Sequence, residues 1–135
     1  MSTRLQLFTD GAARGNPGPA GAGAVLCDPQ GNVVAELCEY LGETTNNVAE
    51  YRALLLGLKR AIELETQELE ILADSELMVR QLQGKYRVKN DRLKPLFAEA
   101  VRLLKSFKKY TIGHIDREQN GAADRMANLA IDENY

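Results

Sequence analysis

The chain has 135 residues, of which 44% are hydrophobic and 27% are charged. This composition is ordinary for a globular protein, and the length suits one domain with a hydrophobic core. No run of about 18 apolar residues is present, which excludes a membrane-spanning helix, and the N-terminus lacks a signal-peptide core. We therefore expect a single cytoplasmic domain over residues 1–135. The formal net charge of -2 does not by itself favour a nucleic-acid-binding protein, but such binding depends on local Lys and Arg.

Three short β-strands are predicted at the start of the chain. They cover residues 4–9, 21–27 and 33–41. Residues 11–23 are rich in Gly, Ala and Pro and are predicted to form a tight loop that enters the second strand. Residues 28–32 are predicted to form a turn. Sequential strands with short links are typical of an antiparallel meander.

Cys27 and Cys38 flank this turn. In a hairpin centred near Gln30, Cys27 lies opposite Val33 and Cys38 lies near Ala22, so the two sulfur atoms are too far apart for a disulfide. We expect both to be reduced, packed thiols.

Helical periodicity follows the three strands. Apolar residues across 48–62 recur at the spacing of an amphipathic helix, with Thr45 or Asn46 as its N-cap. Residues 69–73 are predicted to form the fourth strand. Ser75 can then cap a short helix.

The remaining chain contains a basic connector at 85–94, a long helix at 93–107, a fifth strand at 110–115 and a last helix at about 120–130. The last two strands are entered through helices, so we expect them to pair in parallel through right-handed crossovers. The sequence therefore predicts an α/β fold. Its five-stranded mixed sheet has three antiparallel strands followed by parallel ones and is flanked by helices.

Four carboxylates lie where predicted elements begin or end, and they are Asp10, Glu50, Asp74 and Asp124. Ligand sites of open α/β sheets form at such junctions. Each carboxylate alone has an ordinary role as a turn residue or a helix-terminal charge, but the four together predict a metal site. Carboxylate ligands with almost no His or Cys favour Mg²⁺ or Mn²⁺ over zinc, which indicates phosphate chemistry.

Four segments resemble the motifs of type 1 ribonuclease H, the family of enzymes that cut the RNA strand of RNA–DNA hybrids. They are T-D-G-x-x-x-G-N-P-G-P at 9–19, T-x-N-x-x-E within 45–50, x-x-D-S at 72–75 and N-x-x-A-D-x-x-A at 120–127. The match covers essentially the whole chain, and the segments occur in the family's order. The resemblance implies a ribonuclease H-like fold.

The resemblance also implies that the four carboxylates form a catalytic site for two Mg²⁺ ions, which Mn²⁺ can replace. Such a site holds both the attacking water and the leaving 3′-oxygen of an in-line displacement. The implied products carry 5′-phosphate and 3′-hydroxyl ends. Asp10 matches the residue that bridges both metals.

Four further residues match family positions that contact the hybrid, and they are Gly15, Asn16, Asn46 and Asn47. Asn side chains can both donate to and accept from the 2′-hydroxyls that distinguish RNA. Asn46 matches a position facing the DNA strand. Residues 85–94 are interpreted either as a solvated connector or as a phosphate-binding edge. Because the chain has no Trp, unlike family members with a basic protruding helix here, we expect weaker or more salt-sensitive hybrid binding.

The role of His114, the chain's only histidine, is open. Many family members carry a mobile catalytic His in the loop before the last Asp, and His114 precedes Asp124 by ten residues. The pattern of residues 110–115 instead favours a strand, which puts Arg117 or Glu118 near that loop position. This interpretation resembles a subgroup that lacks the mobile His.

Two other functions on this fold stay open. The chain could be a nucleic-acid-binding module without catalysis, or a nuclease that also acts on double-stranded RNA. The presence of all four carboxylates favours an active enzyme. We expect its partner to be an RNA–DNA hybrid, with no membrane association, and the protein to be a monomer.

Overall fold

The computed structural model describes residues 4–134. Within this range the strands are β1 (Arg4–Ala13), β2 (Gly18–Cys27), β3 (Val33–Thr44), β4 (Glu68–Ala73) and β5 (Lys109–His114). The helices are α1 (Asn46–Glu63), α2 (Glu76–Leu82), α3 (Leu93–Leu104) and α4 (Gly121–Glu133), with a 3-10 helix over Arg117–Asn120.

The five strands form one mixed sheet in the order β3-β2-β1-β4-β5. β1 pairs with β2 and β2 with β3 in antiparallel fashion, whereas β4 is parallel to both β1 and β5. The predicted fold class is therefore confirmed. The parallel pairs bring the carboxyl ends of β4 and β5 to the same edge as the middle of β1.

The predicted end of β1 is wrong. The strand continues through Ala13, so Asp10 lies inside β1 and not after it. β2 already begins at Gly18, which reduces the predicted loop 11–23 to residues 14–17. Gly and Ala have low intrinsic β-propensity, and the pairing of residues 10–13 with β2 outweighs that preference.

The other element boundaries differ by a few residues. β3 runs to Thr44 instead of 41, α3 ends at Leu104 instead of 107, and α4 continues to Glu133. Both predicted helix caps are present. Thr45 Oγ1 accepts a hydrogen bond from the Val48 N–H at 3.3 Å, and Ser75 Oγ accepts one from Met78 at the same distance.

α1 and α4 cover opposite faces of the sheet at β1 and β2. The main core lies between the sheet and α1 and includes Leu5, Leu7, Leu26, Tyr51, Leu54 and Leu58. On the α4 side, a Cβ atom added at Gly21 or Gly23 would lie 2.3 Å from the backbone oxygen of Ala127 or Ala123. These glycines allow α4 to lie directly on β2.

The cysteines are free thiols, as predicted. Cys27 pairs with Val33 across the hairpin, whereas Cys38 pairs with Gly23 and not Ala22. Burial raises the pKa of both thiols. Among residues 4–134, no helix is long and apolar enough to cross a membrane. The cytoplasmic location stays a prediction.

Candidate active site

Three of the predicted carboxylates meet at the edge of the sheet. Asp10, Glu50 and Asp74 each offer an oxygen atom, and these atoms all lie within 4.8 Å of one another. Asp10 and Asp74 are neighbours because β1 and β4 are parallel, with Thr9 in register with Ala73. Asp10 and Glu50 are each only 5% exposed.

Glu50 reaches this cluster because the start of α1 lies directly against β1 at Gly11. The Gly11 N–H donates a hydrogen bond to Glu50 Oε1 at 3.0 Å. A Cβ atom at Gly11 would lie 2.3 Å from the backbone carbon of Ala49 and from the Glu50 nitrogen. Only glycine therefore permits this approach. The sequence motif contained Gly11, but its spacing did not reveal this contact.

Asp124 lies in the first turn of α4 and outside the group within 4.8 Å, but it lines the same cavity and is close enough to Asp10 to raise the pKa of that carboxyl group. Asn120 holds this end of α4 in place. Its side chain is 1% exposed, and Nδ2 donates to the backbone oxygen of Thr9 at 2.8 Å. Because Thr9 directly precedes Asp10, this hydrogen bond fixes the start of the helix that carries Asp124 next to Asp10. Asn120 is the first residue of the fourth motif, but sequence reasoning assigned it no role.

The electrostatics of the cluster favour protonation when no cation is bound. Burial, followed by the charges of Asp74 and Asp124, raises the pKa of Asp10 to about 8. Burial and the neighbouring Asp10 and Asp74 also raise the pKa of Glu50 well above its ordinary value, although the Gly11 N–H and Arg117 partly offset them. A divalent cation would relieve this repulsion, and an all-oxygen donor set suits a hard cation.

The four carboxylates line one open cavity of about 390 Å³, together with residues that include Asn46, His114 and Arg117. His114 is the last residue of β5, is exposed, and pairs in register with Ala73. The strand interpretation of His114 is confirmed, although the residue borders the cavity. Arg117 opens the 3-10 helix that leads to α4. It lines the cavity with Glu50, and its positive charge lowers the pKa of that carboxyl group, an effect that the sequence did not predict.

The four predicted substrate-contact residues are exposed, and they lie in the loop 14–17 and the first turn of α1. Asn16 Oδ1 accepts a hydrogen bond from the Asn46 N–H at 3.0 Å, which joins the loop to the helix. Gly15 has a φ angle of 105°, a conformation that favours glycine. The structure therefore joins Asn16 to Asn46, which lines the carboxylate cavity, whereas Gly15 and Asn47 are their neighbours in the chain and do not line it.

Comparison with known proteins identifies the family. Residues 8–130 match the reverse transcriptase-like family model. The bifunctional protein Rv2228c of Mycobacterium tuberculosis is 44% identical over 130 residues, which cover 96% of this chain but 36% of that protein. The chain thus spans about a third of the length of this relative. Ribonuclease H of Pseudomonas entomophila is 34% identical over 147 residues, with 98% of this chain and 97% of that protein covered.

Solved structures agree with this assignment. The crystal structure of LC11 ribonuclease H1 in complex with an RNA/DNA hybrid has a TM-score of 0.91 and 44% identity, and the match covers 96% of this chain and 98% of that chain. The shared fold, the full-length match to a ribonuclease H and the clustered carboxylates lead to one conclusion. This chain belongs to the ribonuclease H family and is of type 1.

Proposed function

We propose that this protein is an endoribonuclease that hydrolyses the RNA strand of RNA–DNA hybrids and leaves 5′-phosphate and 3′-hydroxyl ends. The observation that carries this proposal is the cluster of Asp10, Glu50 and Asp74 oxygens within 4.8 Å in an open cavity, with Asp124 against Asp10. LC11 ribonuclease H1, which is 44% identical, has been crystallised with such a hybrid.

The proposed cofactor is Mg²⁺, as two ions that Mn²⁺ can replace. The donor set fits, because it consists of carboxylate oxygens that repel one another without a cation. Asp10, Glu50, Asp74 and Asp124 would hold the ions. When bound, the cations would activate the attacking water and stabilise the charge on the leaving 3′-oxygen.

The protein's own contribution is the placement of these groups. The Gly11 N–H holds Glu50 beside Asp10, and Asn120 holds the start of α4 against β1. Asp10 must lose the proton that its raised pKa of about 8 favours before it can act as a full ligand. Cation binding and proton release are therefore coupled.

Substrate selection is assigned to exposed residues of the loop 14–17 and the first turn of α1. Gly15, Asn16 and Asn47 would contact the hybrid through groups that can read 2′-hydroxyls, and Asn46 would face the DNA strand. The exposed basic residues of 85–94 would add phosphate contacts. Three of them, Lys85, Arg87 and Lys94, line a separate groove of about 720 Å³.

We also propose that residues 1–135 form a single domain and that the protein acts as a monomer. The single-domain proposal is supported by the one sheet within residues 4–134, on which α1, α2 and α4 pack, and by α3, which packs against α1.

The test is incubation of the purified protein with labelled RNA–DNA, RNA–RNA and DNA–DNA duplexes in Mg²⁺ or Mn²⁺. We expect cleavage of the RNA strand of the hybrid, with products that a 5′-phosphate-dependent exonuclease degrades. The Asp74→Asn variant is the matched inactive control. Binding of the hybrid without cleavage by the unmutated protein would contradict the proposal and favour a binding module. Comparable cleavage of RNA–RNA would extend the substrate to double-stranded RNA.

A further inference from the structure

Asp124 is connected through Asn128 to the loop of residues 14–17. Asn128 lies one turn after Asp124 in α4, and its Nδ2 donates to the backbone oxygen of Asp124 at 3.0 Å and to the carboxylate Oδ1 at 3.3 Å. Asn128 Oδ1 in turn accepts a hydrogen bond from Arg14 Nη2 at 3.1 Å. A continuous series of hydrogen bonds therefore runs from Arg14 to the Asp124 carboxylate.

The contacts with Arg14 and with Asp124 together determine which way the Asn128 amide faces. A side-chain amide has one accepting and one donating end. If the Asn128 amide were turned over, its NH₂ group would face the Arg14 guanidinium and its oxygen would face two oxygens of Asp124. Both contacts would be repulsive. Arg14 thus keeps the donor end of Asn128 directed at Asp124.

Arg14 is itself held by neighbours in β2 and on α4. Its backbone N–H donates to the Pro19 oxygen at 2.8 Å, and Nη1 pairs with Asp132 Oδ1 at 2.6 Å. The Arg14 and Asp132 side chains are 47% and 58% exposed, and an ion pair so exposed contributes little stability. The Arg14–Asp132 ion pair therefore serves mainly to fix the position of the Arg14 guanidinium beside Asn128.

The same loop contacts the other helix that carries a carboxylate. Asn16 accepts a hydrogen bond from the Asn46 N–H at the start of α1, four residues before Glu50. The loop 14–17 thus lies between the helix of Glu50 and the helix of Asp124. It is also the loop to which RNA contact is assigned above.

We propose that Asn128 is a positioning residue for Asp124 and that Arg14 orients Asn128, so that the loop contacting the RNA strand also directs this carboxylate toward the divalent cation. The inference rests on the proposed function for the identity of the cation and of the substrate. Loss of a hydrogen-bond partner of a metal-binding group typically lowers metal affinity by about 10- to 100-fold. Because Asp124 is only half-buried, we expect the lower end of this range.

The experiment measures Mg²⁺ binding without substrate, from the rise of the melting temperature as Mg²⁺ is added. In Asn128→Ala, the Mg²⁺ concentration for half of the full rise should increase about tenfold. Arg14→Ala should give a smaller increase of about threefold, because Asn128 still donates to Asp124 but loses the contact that holds the other end of its amide. Leu129→Ala, an exposed neighbour on the same helix, is the matched control and should not change this concentration.

A second measurement needs neither metal nor activity. The side-chain amide of Asn128, observed by ¹⁵N NMR in the metal-free protein, should shift in Arg14→Ala and stay unchanged in Leu129→Ala. Because Arg14 is half-exposed in a loop, Arg14→Ala should fold normally. This variant therefore tests the inference even if Asn128→Ala folds poorly. An unchanged amide signal, or an unchanged Mg²⁺ requirement in both variants, would overturn the inference. Failure of the unmutated protein to cleave hybrids would instead overturn the proposed function.

Discussion

The backbone N–H of Gly11 and the Oε1 atom of Glu50 are joined by a buried hydrogen bond of 3.0 Å. Gly11 directly follows Asp10 in β1, and Glu50 belongs to α1. This single contact therefore sets how closely two of the four carboxylates approach each other. It depends on the absence of a side chain at Gly11, because a Cβ atom there would lie 2.3 Å from backbone atoms of α1.

The Gly11→Ala substitution should destabilise the protein and impair the site. Backbone atoms cannot rotate away as a side-chain end can, so α1 must shift, and overpacking of this kind costs about 1–3 kcal/mol or more. Urea unfolding measures the loss. Gly113→Ala in β5 is the control, since its nearest heavy atom would be Leu72 Cδ2 at 3.7 Å. Equal stability of the two variants would contradict the close packing of α1 on β1.

Asp10→Asn should abolish cleavage of an RNA–DNA hybrid while the fold stays intact. The change removes the charge of a proposed cation ligand but barely alters the side-chain volume. Cleavage assays in Mg²⁺ and circular dichroism measure the two effects. Asp91→Asn is the control, because its side chain is 94% exposed and lies outside the cavity. Full Mg²⁺-dependent activity in Asp10→Asn would refute the metal assignment.

The metal-free protein should lose stability as the pH rises from about 4 to about 8. The pKa of Asp10 is raised from an ordinary 3.8 to about 8, so in this interval the folded state retains a proton that the unfolded chain releases. The retained proton contributes on the order of a few kcal/mol to the free energy of unfolding. This contribution is fully present below the pKa of Asp10 in the unfolded chain and is lost as the pH rises through its pKa in the folded protein. The raised pKa of Glu50 acts in the same direction.

Urea unfolding in metal-free buffer at several pH values measures this loss of stability. Asp10→Asn should flatten the profile and raise the melting temperature at high pH, because like charges are removed. Mg²⁺ should also raise the melting temperature of the unmutated protein at high pH. If neither Asp10→Asn nor Mg²⁺ changes the melting temperature at high pH, the carboxylates are not clustered in solution.

His114→Ala should change turnover by less than about threefold at saturating Mg²⁺. His114 ends β5 in register with Ala73 and is exposed, so it is not part of a mobile loop. Its removal should also leave the melting temperature nearly unchanged. A general acid or base normally contributes at least about 10²-fold to the rate. A loss of that size without loss of stability would show that His114 acts in proton transfer from its strand position.

Removal of basic side chains from residues 85–94 should weaken hybrid binding and its salt dependence. Lys85 and Arg87 are exposed and border the same groove. Replacing one side chain that binds a phosphate should reduce the slope of log affinity against log salt concentration by about 1. Lys109→Ala is the control, because Lys109 begins β5 at the end of the strand away from the cavity. Unchanged slopes for Lys85→Ala and Arg87→Ala would indicate a solvated connector.

Local patterns in the sequence were sufficient to predict much of this fold. The amphipathic spacing of α1, the Thr45 and Ser75 caps and the order of strands and helices follow from interactions within a few residues of each other. The order of strands and helices, together with the right-handed crossovers that lead into the last two strands, then predicts the mixed sheet. Asp74 and Asp124 could be identified for the same reason, since each stands beside an element boundary. Asp10 and Glu50 lie inside β1 and α1, and they were identified from the motifs around them.

Contacts between distant residues were decided only by the tertiary structure. β1 continues past Asp10 because residues 10–13 pair with β2, and the small residues that suggested a loop are those that let α1 and α4 lie on the sheet. The Asn120 contact with Thr9 spans 111 residues and the Arg14 contact with Asn128 spans 114. Hydrogen bonds of this kind leave no periodic signal in the sequence, because their geometry exists only once the sheet has brought the two segments together.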